Sequence, residues 1–282
     1  MSQLAESHPL DYLLREDRLP HVWCPACGVG TALNCYAHAL ERSGIPLEKA
    51  VIVSGIGCAG RGSGYVNIDG FHVTHGRAIA FASGLKMANP ELNITIFSGD
   101  GDLFAIGGNH IIQAARRNMD LTILCSNNFN YGMTGGQGGP TTPPGAWTTT
   151  TPYGNVEPPF NLCYLMASCG ATYVARWTAL HVRRLTKSIE KALKKKGFNF
   201  IEIISQCPPI FGRRNQYREG LDMLQYFQKH AHLQHGIHPK DAPFELGKDF
   251  YIGEFVELGD IPTFDERIAV MRETRVRVRK KQ

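Results

Sequence analysis

The most constraining feature of the sequence is a series of short, continuous apolar runs that alternate with longer, helix-like stretches. The runs are rich in β-branched residues, as in AVIVSGIG and LTILCSN. Continuous hydrophobicity predicts strands covered on both faces, as in a parallel sheet. We therefore expect a doubly wound α/β domain with a mainly parallel sheet, in which ligands bind at the carboxyl ends of the strands. The predicted strands are 50–57, 93–99, 121–127, 171–176 and 198–205, and the predicted helices are 29–43, 76–88, 106–118, 178–196 and 219–231.

The composition is that of a globular enzyme, with 43% hydrophobic and 20% charged residues in 282. Much of the net charge of +5 lies in the terminal stretch RETRVRVRKKQ, which is typical of a solvated tail, so nucleic-acid binding is not expected. No apolar run is long enough to cross a bilayer, and the acidic, polar N-terminus does not resemble an export signal. We therefore expect a cytoplasmic protein without membrane association.

Two stretches depart from the alternating pattern. The Gly/Thr/Pro-rich segment 132–154 is too long for a simple connection, and long loops inside compact domains are usually functional. From about residue 208 the alternation fades. We expect a cofactor-binding α/β domain over 1–209 and a C-terminal extension over 210–282 that packs on the core or on a partner subunit.

Two acids stand on a glycine-rich turn directly after one predicted strand. Gly99-Asp100-Gly101-Asp102 follows the run ITIF, and Asn128 follows the next strand. The separation of 28 residues (128 − 100 = 28) is one helix and one strand, so Asp100 and Asn128 fall at the same edge of adjacent parallel strands. Glycines allow close backbone approach, and a helix N-terminus favours an anion. This arrangement suits a hard divalent cation that bridges to a diphosphate.

Two other structures could use the residues of this turn. A pair of Asx turns closing two βα units would also use these residues, but the paired motif with YGMTGGQ behind it favours the cation site. A Rossmann nucleotide site is rejected because Phe104 stands where its third glycine should be.

Four of the eight cysteines stand where a turn or a strand ends. Cys24 and Cys27 form a C-x-x-C turn, Cys58 lies in a glycine-rich loop, and Cys207 precedes two prolines after a late strand. Four thiolates from three loops can bind a tetrahedral zinc ion or a [4Fe–4S] cluster, and the residues alone do not choose between them. A thioredoxin-like dithiol would leave Cys58 and Cys207 unexplained. The other cysteines, Cys35, Cys125, Cys163 and Cys169, are expected to be buried hydrophobic residues.

Taken together, the motifs resemble the β subunit of the 2-oxoacid:ferredoxin oxidoreductases. The matching segments run through residues 22–209 and are WCPACG, SGIGCAGR, THGRAIAFASGLKMA, SGDGDLFAIGGNH, AARRN, NNFNYGMTGGQ and CPP. The later stretch FGRRNQYREGLDMLQYFQ is most similar to the 2-oxoglutarate members. The resemblance implies the fold of a thiamine diphosphate (TPP) diphosphate-binding module, with Mg²⁺ and one [4Fe–4S] cluster.

The resemblance also implies ligands. Asp100, Asn128 and the carbonyl of Asn130 would bind Mg²⁺, and the Gly101 and Asp102 amides would approach the phosphates. The implied cluster ligands are Cys24, Cys27, Cys58 and Cys207. The whole expected cofactor-binding set is Gly57, Cys58, His75, Gly99, Asp100, Gly101, Asp102, Asn128, Asn130, Tyr131, Gly132, Met133 and Thr134.

His75, Arg77 and Thr134 are the expected catalytic residues. A histidine can transfer protons, and an arginine can bind a carboxylate through two donors. For Arg77, a salt bridge that locks the loop is an equal alternative. Thr134 offers a hydroxyl near the diphosphate or the thiazolium. Arg213 and Arg214 could recognise a second substrate carboxylate or face ferredoxin or another subunit.

The implied activity is oxidative decarboxylation of a 2-oxo acid, most similar to the 2-oxoglutarate enzymes, with coenzyme A. Electrons would pass singly from TPP through the cluster to ferredoxin, and the reverse reaction would fix CO₂. Because only a diphosphate-binding module is evident, a separate α subunit is expected, in an αβ or (αβ)₂ assembly. The alternatives are a pyruvate or branched-chain member, a non-redox TPP decarboxylase with structural zinc, and an iron–sulfur electron carrier with a vestigial TPP fold.

Overall fold

The computed structural model describes residues 10–276. Its strands are β1 (Ala50–Ser54), β2 (Asp69–His72), β3 (Asn93–Gly99), β4 (Leu121–Asn127), β5 (Asn130–Tyr131), β6 (Gln137–Gly138), β7 (Tyr173–Thr178), β8 (Phe198–Ile204), β9 (Ala231–Leu233) and β10 (Phe250–Glu257). Its α-helices are α1 (Gly28–Ser43), α2 (Ala78–Ala88), α3 (Gly108–Arg117), α4 (Leu162–Ser168), α5 (Val182–Lys194), α6 (Asp222–His230) and α7 (Phe264–Met271).

Eight strands form one sheet in the order β2-β1-β3-β4-β8-β7-β10-β9, and β5 and β6 form a separate two-stranded ribbon. Every neighbouring pair in the large sheet is parallel except β7 with β10, which is antiparallel. Because β1, β3, β4 and β8 are parallel neighbours, their carboxyl ends meet at one edge. The predicted mainly parallel, doubly wound α/β fold is confirmed.

Helices cover both faces of this sheet, which explains why its central strands are apolar on both sides. Within β1, Ile52 points into the core shared with α1 and α5, whereas Val51 and Val53 point into the core shared with α2 and α3. Helix α5 buries Leu185, Ile189, Ala192 and Leu193, a spacing that places them on one helical face. Because successive side chains of a strand point to opposite faces of the sheet, the central strands contribute to two separate hydrophobic cores, one on each face.

The five predicted strands appear as β1, β3, β4, β7 and β8, and the five predicted helices as α1, α2, α3, α5 and α6. The first strand ends at Ser54, before the predicted limit of 57, because the chain turns there and reaches a left-handed φ of 114° at Gly57. The helix predicted from 106 begins at Gly108, after a π-helical segment, Gly101–Ile106. The prediction did not include helices α4 and α7 or the strands β2, β5, β6, β9 and β10.

The C-terminal segment adds strands to the main sheet. Strand β10 pairs with β7, and β9 pairs with β10. Phe227, Phe250 and Ile252 belong to the same hydrophobic core as α1 and α5. Within residues 10–276, no helix combines the length and hydropathy that a bilayer crossing requires. The N-terminal stretch 1–9 and the last residues of the basic tail, 277–282, lie outside the described residues.

Candidate active site

A cavity of about 170 Å³ opens at the carboxyl edge of the sheet, where β1, β3 and β4 end. Every residue of the expected cofactor-binding set lies on its wall: Gly57, Cys58, His75, Gly99, Asp100, Gly101, Asp102, Asn128, Asn130, Tyr131, Gly132, Met133 and Thr134. Gly99 at the end of β3 pairs with Ser126 near the end of β4. The residues that follow the two strands therefore lie side by side on this wall.

Asp100 is the buried carboxylate of this cavity. Its side chain is 2% exposed, and its Oδ2 accepts a hydrogen bond from the Thr141 hydroxyl. Burial raises the pKa of Asp100 to about 6, although Thr141 and the backbone amides of Gly101, Asp100 and Asn128 work in the opposite direction. The raised pKa means that the ionised carboxylate is incompletely compensated by this chain alone. A bound cation would supply that compensation.

The two asparagines after β4 are aimed at the cavity by a strained residue between them. Phe129 adopts a left-handed φ of 66° and is fully buried, with its ring 4.7 Å from that of Phe244. Such a conformation costs about 1–3 kcal/mol and is characteristic of functional sites. By turning Phe129 into the core, it leaves Asn128 and Asn130 on the cavity wall.

Asn130 offers two oxygen atoms as possible ligands, its backbone carbonyl and its side-chain Oδ1. Its carbonyl accepts a hydrogen bond from the Gly132 amide at 3.1 Å and retains a second lone pair for a cation. Its Nδ2 donates to the Asn128 carbonyl at 2.7 Å. Its buried Oδ1 has no hydrogen-bond partner among the described residues. The cavity therefore contains unused oxygen acceptors beside Asp100.

Asp102 joins three segments of chain through one carboxylate. Oδ1 accepts hydrogen bonds from the Ile56 amide at 3.1 Å and the Gly76 amide at 2.8 Å, and it lies 2.5 Å from Nδ1 of His75. Oδ2 accepts a bond from the Ser98 hydroxyl at 2.8 Å. Where the carboxylate accepts this bond, Nδ1 of His75 is the donor, and Nε2 is the ring nitrogen left for the cavity. The Asp102 side chain is thus occupied in tethering loops and orienting His75.

The structure does not bring Arg77 to the cavity wall. Arg77 is exposed, and its Nη1 donates to Nε2 of His110 at 2.5 Å. Thr134 does line the cavity, but it lies at the exposed rim, where its hydroxyl donates to Oε1 of Gln137 at 2.8 Å. Of the three expected catalytic residues, His75 is the one held in place by a buried acid.

The four cysteines of interest come from three segments that are bonded to one another. The Trp23 indole donates to the Cys58 carbonyl at 2.7 Å, and the Gly28 amide donates to the Gln206 carbonyl at 3.0 Å. The first bond ties the C-x-x-C turn to the Cys58 loop, and the second ties it to the end of β8, next to Cys207.

Burial raises the pKa of the Cys27 thiol to about 12, and the charges of Cys207, Cys58 and Cys24 raise it further. The Cys58 pKa is raised to about 11 by burial and by Cys207 and Cys24. The four thiols are therefore near enough to repel one another when ionised. No set of three or more histidine, cysteine or acidic side chains within 10–276 is arranged to hold a single metal ion.

Thr141 was not identified from the sequence. It lies in the long Gly/Thr/Pro-rich segment, which was expected to be functional, and it is 4% exposed. Besides Asp100, its hydroxyl faces Oδ1 of Asn127 at 2.9 Å. The two threonines between prolines in PTTPPG were the available signal, but neither could be paired with a distant acid without the fold.

Known proteins share this architecture. The family described as "Thiamine pyrophosphate enzyme, C-terminal TPP binding domain" matches residues 55–203. The 2-oxoglutarate synthase subunit KorB of Methanothermobacter marburgensis is 49% identical over 90% of this chain and 88% of its own length. The KorB subunit of Methanocaldococcus jannaschii is 47% identical over 93% of this chain and 96% of its own.

A solved structure extends the comparison. The chain of 2-oxoglutarate:ferredoxin oxidoreductase from Magnetococcus marinus, determined with 2-oxoglutarate, coenzyme A and succinyl-CoA bound, is 32% identical and superposes with a TM-score of 0.84. The match covers 95% of this chain and 91% of that one. The resemblance inferred from the motifs is confirmed: this chain belongs to the β-subunit family of the 2-oxoacid:ferredoxin oxidoreductases.

Proposed function

We propose that this chain is the β subunit of a 2-oxoglutarate:ferredoxin oxidoreductase. The enzyme would convert 2-oxoglutarate and coenzyme A to succinyl-CoA and CO₂, while two electrons pass one at a time to two ferredoxin molecules. The names of the KorB relatives and the ligands of the Magnetococcus marinus structure support this choice of substrate. The same catalyst run in reverse, with reduced ferredoxin, would fix CO₂.

The observation that carries the proposal is the wall shared by the two candidate cofactor sites. A Cβ atom placed on Gly132 would lie 3.7 Å from Nδ2 of Asn128 and 3.6 Å from Sγ of Cys207. Cys58 itself lines the cavity that contains Asp100. A magnesium–diphosphate group and a sulfur-ligated cluster bound here would be neighbours, which electron transfer between them requires.

The oxygen donors fit Mg²⁺. Asp100, Asn128 and the Asn130 carbonyl offer the hard oxygen ligands that this ion prefers, and they would hold it beside the diphosphate. The buried, incompletely compensated Asp100 carboxylate supports this assignment from the protein side. We assign the Mg²⁺–TPP diphosphate to this cavity.

The sulfur donors fit a [4Fe–4S] cluster. Four free thiols, Cys24, Cys27, Cys58 and Cys207, lie on mutually bonded segments at one edge of the sheet. Four cysteines are the ordinary ligand set of such a cluster. A zinc ion would need all four sulfurs within about 2.3 Å of one point. Zinc has no redox chemistry, whereas similar proteins are named as ferredoxin oxidoreductases, so we favour the cluster.

When bound, TPP supplies carbanion chemistry at the 2-oxo carbon and the cluster accepts single electrons. The chain's own contribution is orientation and proton handling. Asp102 fixes the tautomer and direction of His75, leaving Nε2 to hold or release a proton at the cavity. Gly101 permits the close approach of Tyr131, whose ring would collide with any Cβ at that position.

The proposed partners rest on the names of the relatives. The relatives are named as single subunits of a larger enzyme, so we assign the aminopyrimidine side of TPP and much of the substrate site to an α subunit, in an αβ or (αβ)₂ complex. Ferredoxin is the proposed electron acceptor. The cytoplasmic location expected from the sequence stays a prediction.

The test is an anaerobic assay of the complex purified with its partner subunit. We would compare 2-oxoglutarate, pyruvate and a branched-chain 2-oxo acid, each with coenzyme A and ferredoxin, and expect the highest kcat/KM with 2-oxoglutarate. A preference for pyruvate or a branched-chain acid would contradict the substrate assignment. A colourless, zinc-containing complex would contradict the redox function itself.

A further inference from the structure

We propose that Thr141 is a positioning residue for the magnesium site: its hydroxyl holds the Asp100 carboxylate in the orientation that binds the cation. This inference rests on the proposed function, because Asp100 is its candidate Mg²⁺ ligand. Thr141 belongs to none of the seven segments that carry the family resemblance.

The contact is buried at both ends. Asp100 and Thr141 are 2% and 4% exposed, so water does not compete freely for the hydrogen bond to Oδ2. An aspartate carboxylate rotates readily about χ2. Thr141 opposes this rotation, because turning the carboxylate away would give up a buried, charge-assisted hydrogen bond. The hydrogen bond thus fixes Oδ2 of Asp100 and keeps the carboxylate on the cavity wall.

Thr141 is itself held by an oriented chain of buried polar groups. The Asn127 amide directs Oδ1 toward Thr141, because its Nδ2 donates to Oε1 of Glu202 at 2.8 Å. Oε2 of Glu202 in turn accepts from Nε of Arg176 at 2.7 Å, in a pair that is almost fully buried. The Arg176–Glu202 pair therefore fixes which end of the Asn127 amide faces Thr141. The single Thr141 hydroxyl proton has two acceptors within reach, Oδ1 of Asn127 and Oδ2 of Asp100, and an ionised carboxylate is the stronger acceptor of the two.

The loop does not depend on the Thr141 hydroxyl for its own conformation. The adjacent Thr142 donates to the Phe129 carbonyl at 2.6 Å and accepts from the Gly139 amide at 2.8 Å. Nδ2 of Asn155 donates to the Thr142 carbonyl at 2.7 Å. Thr142 thus performs the structural role, and it provides a matched control for Thr141.

The experiment compares Thr141→Val, Thr141→Ser and Thr142→Val in the cofactor-depleted complex with its partner subunit. Mg²⁺ is titrated by calorimetry at a fixed, saturating TPP concentration, and the cluster absorbance is recorded as a check on integrity. Thr141→Val removes the hydroxyl with little change of volume, so we expect the Mg²⁺ Kd to rise about 10–100-fold, the usual effect of losing a residue that orients a metal ligand. Thr141→Ser keeps the hydroxyl and is expected to restore most of the affinity.

The control separates positioning from general loosening. Thr142→Val is expected to lower the melting temperature and to shift the Mg²⁺ Kd less than Thr141→Val does, because Thr142 is bonded to the Phe129 carbonyl and not to a candidate ligand atom. An unchanged Kd in Thr141→Val, or equal shifts in the two valine variants, would overturn the inference. If Thr141→Val does not assemble, Thr141→Ala is measured in its place, with the same weakening expected and an unchanged Kd again decisive. Failure of the wild-type complex to bind Mg²⁺ with TPP would instead contradict the proposed function.

Discussion

The Sγ atom of Cys207 lies 3.6 Å from the position that a Cβ would take on Gly132, and Nδ2 of Asn128 lies 3.7 Å from the same point. A residue without a side chain thus separates a candidate cluster ligand from a candidate magnesium ligand. The two sites are adjacent, yet they use different atoms on different segments. Substitutions should therefore remove one cofactor while the other stays bound.

Replacement of Asp100 tests the magnesium side. Asp100→Ala removes the buried carboxylate, and we expect Mg²⁺–TPP affinity to fall by more than the ~100-fold typical of a merely supporting residue. TPP is measured by its fluorescence after conversion to thiochrome, and the cluster by its visible absorbance. Loss of the cluster with TPP still bound would contradict the assignment. The exposed Asp69, replaced by alanine, is the control.

Replacement of Cys207 tests the cluster side. Cys207→Ser is expected to abolish the broad visible absorbance and ferredoxin reduction, because serine is a poor ligand for a cluster held by four thiolates. TPP retention should be unchanged. Ferredoxin reduction at the wild-type rate would remove Cys207 from the ligand set. The half-buried Cys169, replaced by serine, is expected to leave both cofactors in place.

The raised pKa of Asp100 predicts a pH-dependent cost in the cofactor-free protein. The folded-state pKa of about 6 exceeds the ordinary value of 3.8, so the neutral form is favoured in the fold. The folded protein keeps its full stability below about pH 4, where Asp100 is neutral in both the folded and the unfolded chain. It loses stability as the pH rises through 6, because the buried carboxyl must then ionise. By pH 8 the ionised carboxylate costs about 3 kcal/mol.

Asp100→Asn removes this charge. We therefore expect the cofactor-free variant to melt at a higher temperature than the wild type at pH 8, with the difference shrinking by pH 5. The measurement is thermal unfolding of the cofactor-depleted complex at both pH values. A variant less stable than the wild type at pH 8 would show that the amide loses more in hydrogen bonds than it gains from the absent charge.

Two glycines, one between β3 and α3 and the other at the start of α3, should respond oppositely to alanine. A Cβ on Gly101 would overlap the Tyr131 ring, so Gly101→Ala is expected to cost about 1–3 kcal/mol and to weaken TPP binding. A Cβ on Gly108, inside α3, meets no atom within 4 Å. Gly108→Ala is expected to stabilise the protein by up to about 1 kcal/mol. The free energy of unfolding of each variant is measured by urea denaturation. Equal values would show that the Tyr131 ring moves aside at little cost.

Most of the fold could be predicted because its central strands are continuous apolar runs. The same regularity predicts the meeting of Asp100 with Asn128, since both follow strands that are parallel neighbours. Strand β2 escaped prediction because all four of its residues are exposed and it has no apolar run. Strand β10 alternates buried and exposed residues over part of its length and pairs antiparallel, unlike the strands before it.

The parts of the site that could not be predicted depend on contacts between distant segments. Thr141 reaches Asp100 across 41 residues, and no local pattern marks which of two neighbouring threonines does so. The role of the Asp102 side chain was also missed. In the motif it stands beside Asp100, but its carboxylate turns away toward Ile56, Gly76 and Ser98.

That carboxylate has a mechanical consequence. The loop after β1, the turn before α2 and the end of β3 are all attached to Asp102, and Ile56 is only two residues from Cys58. These segments cannot be displaced separately without breaking a shared, buried anchor. A displacement beside Asp100 therefore also moves the loop that carries Cys58, so the candidate magnesium site and the candidate cluster site are mechanically coupled through Asp102.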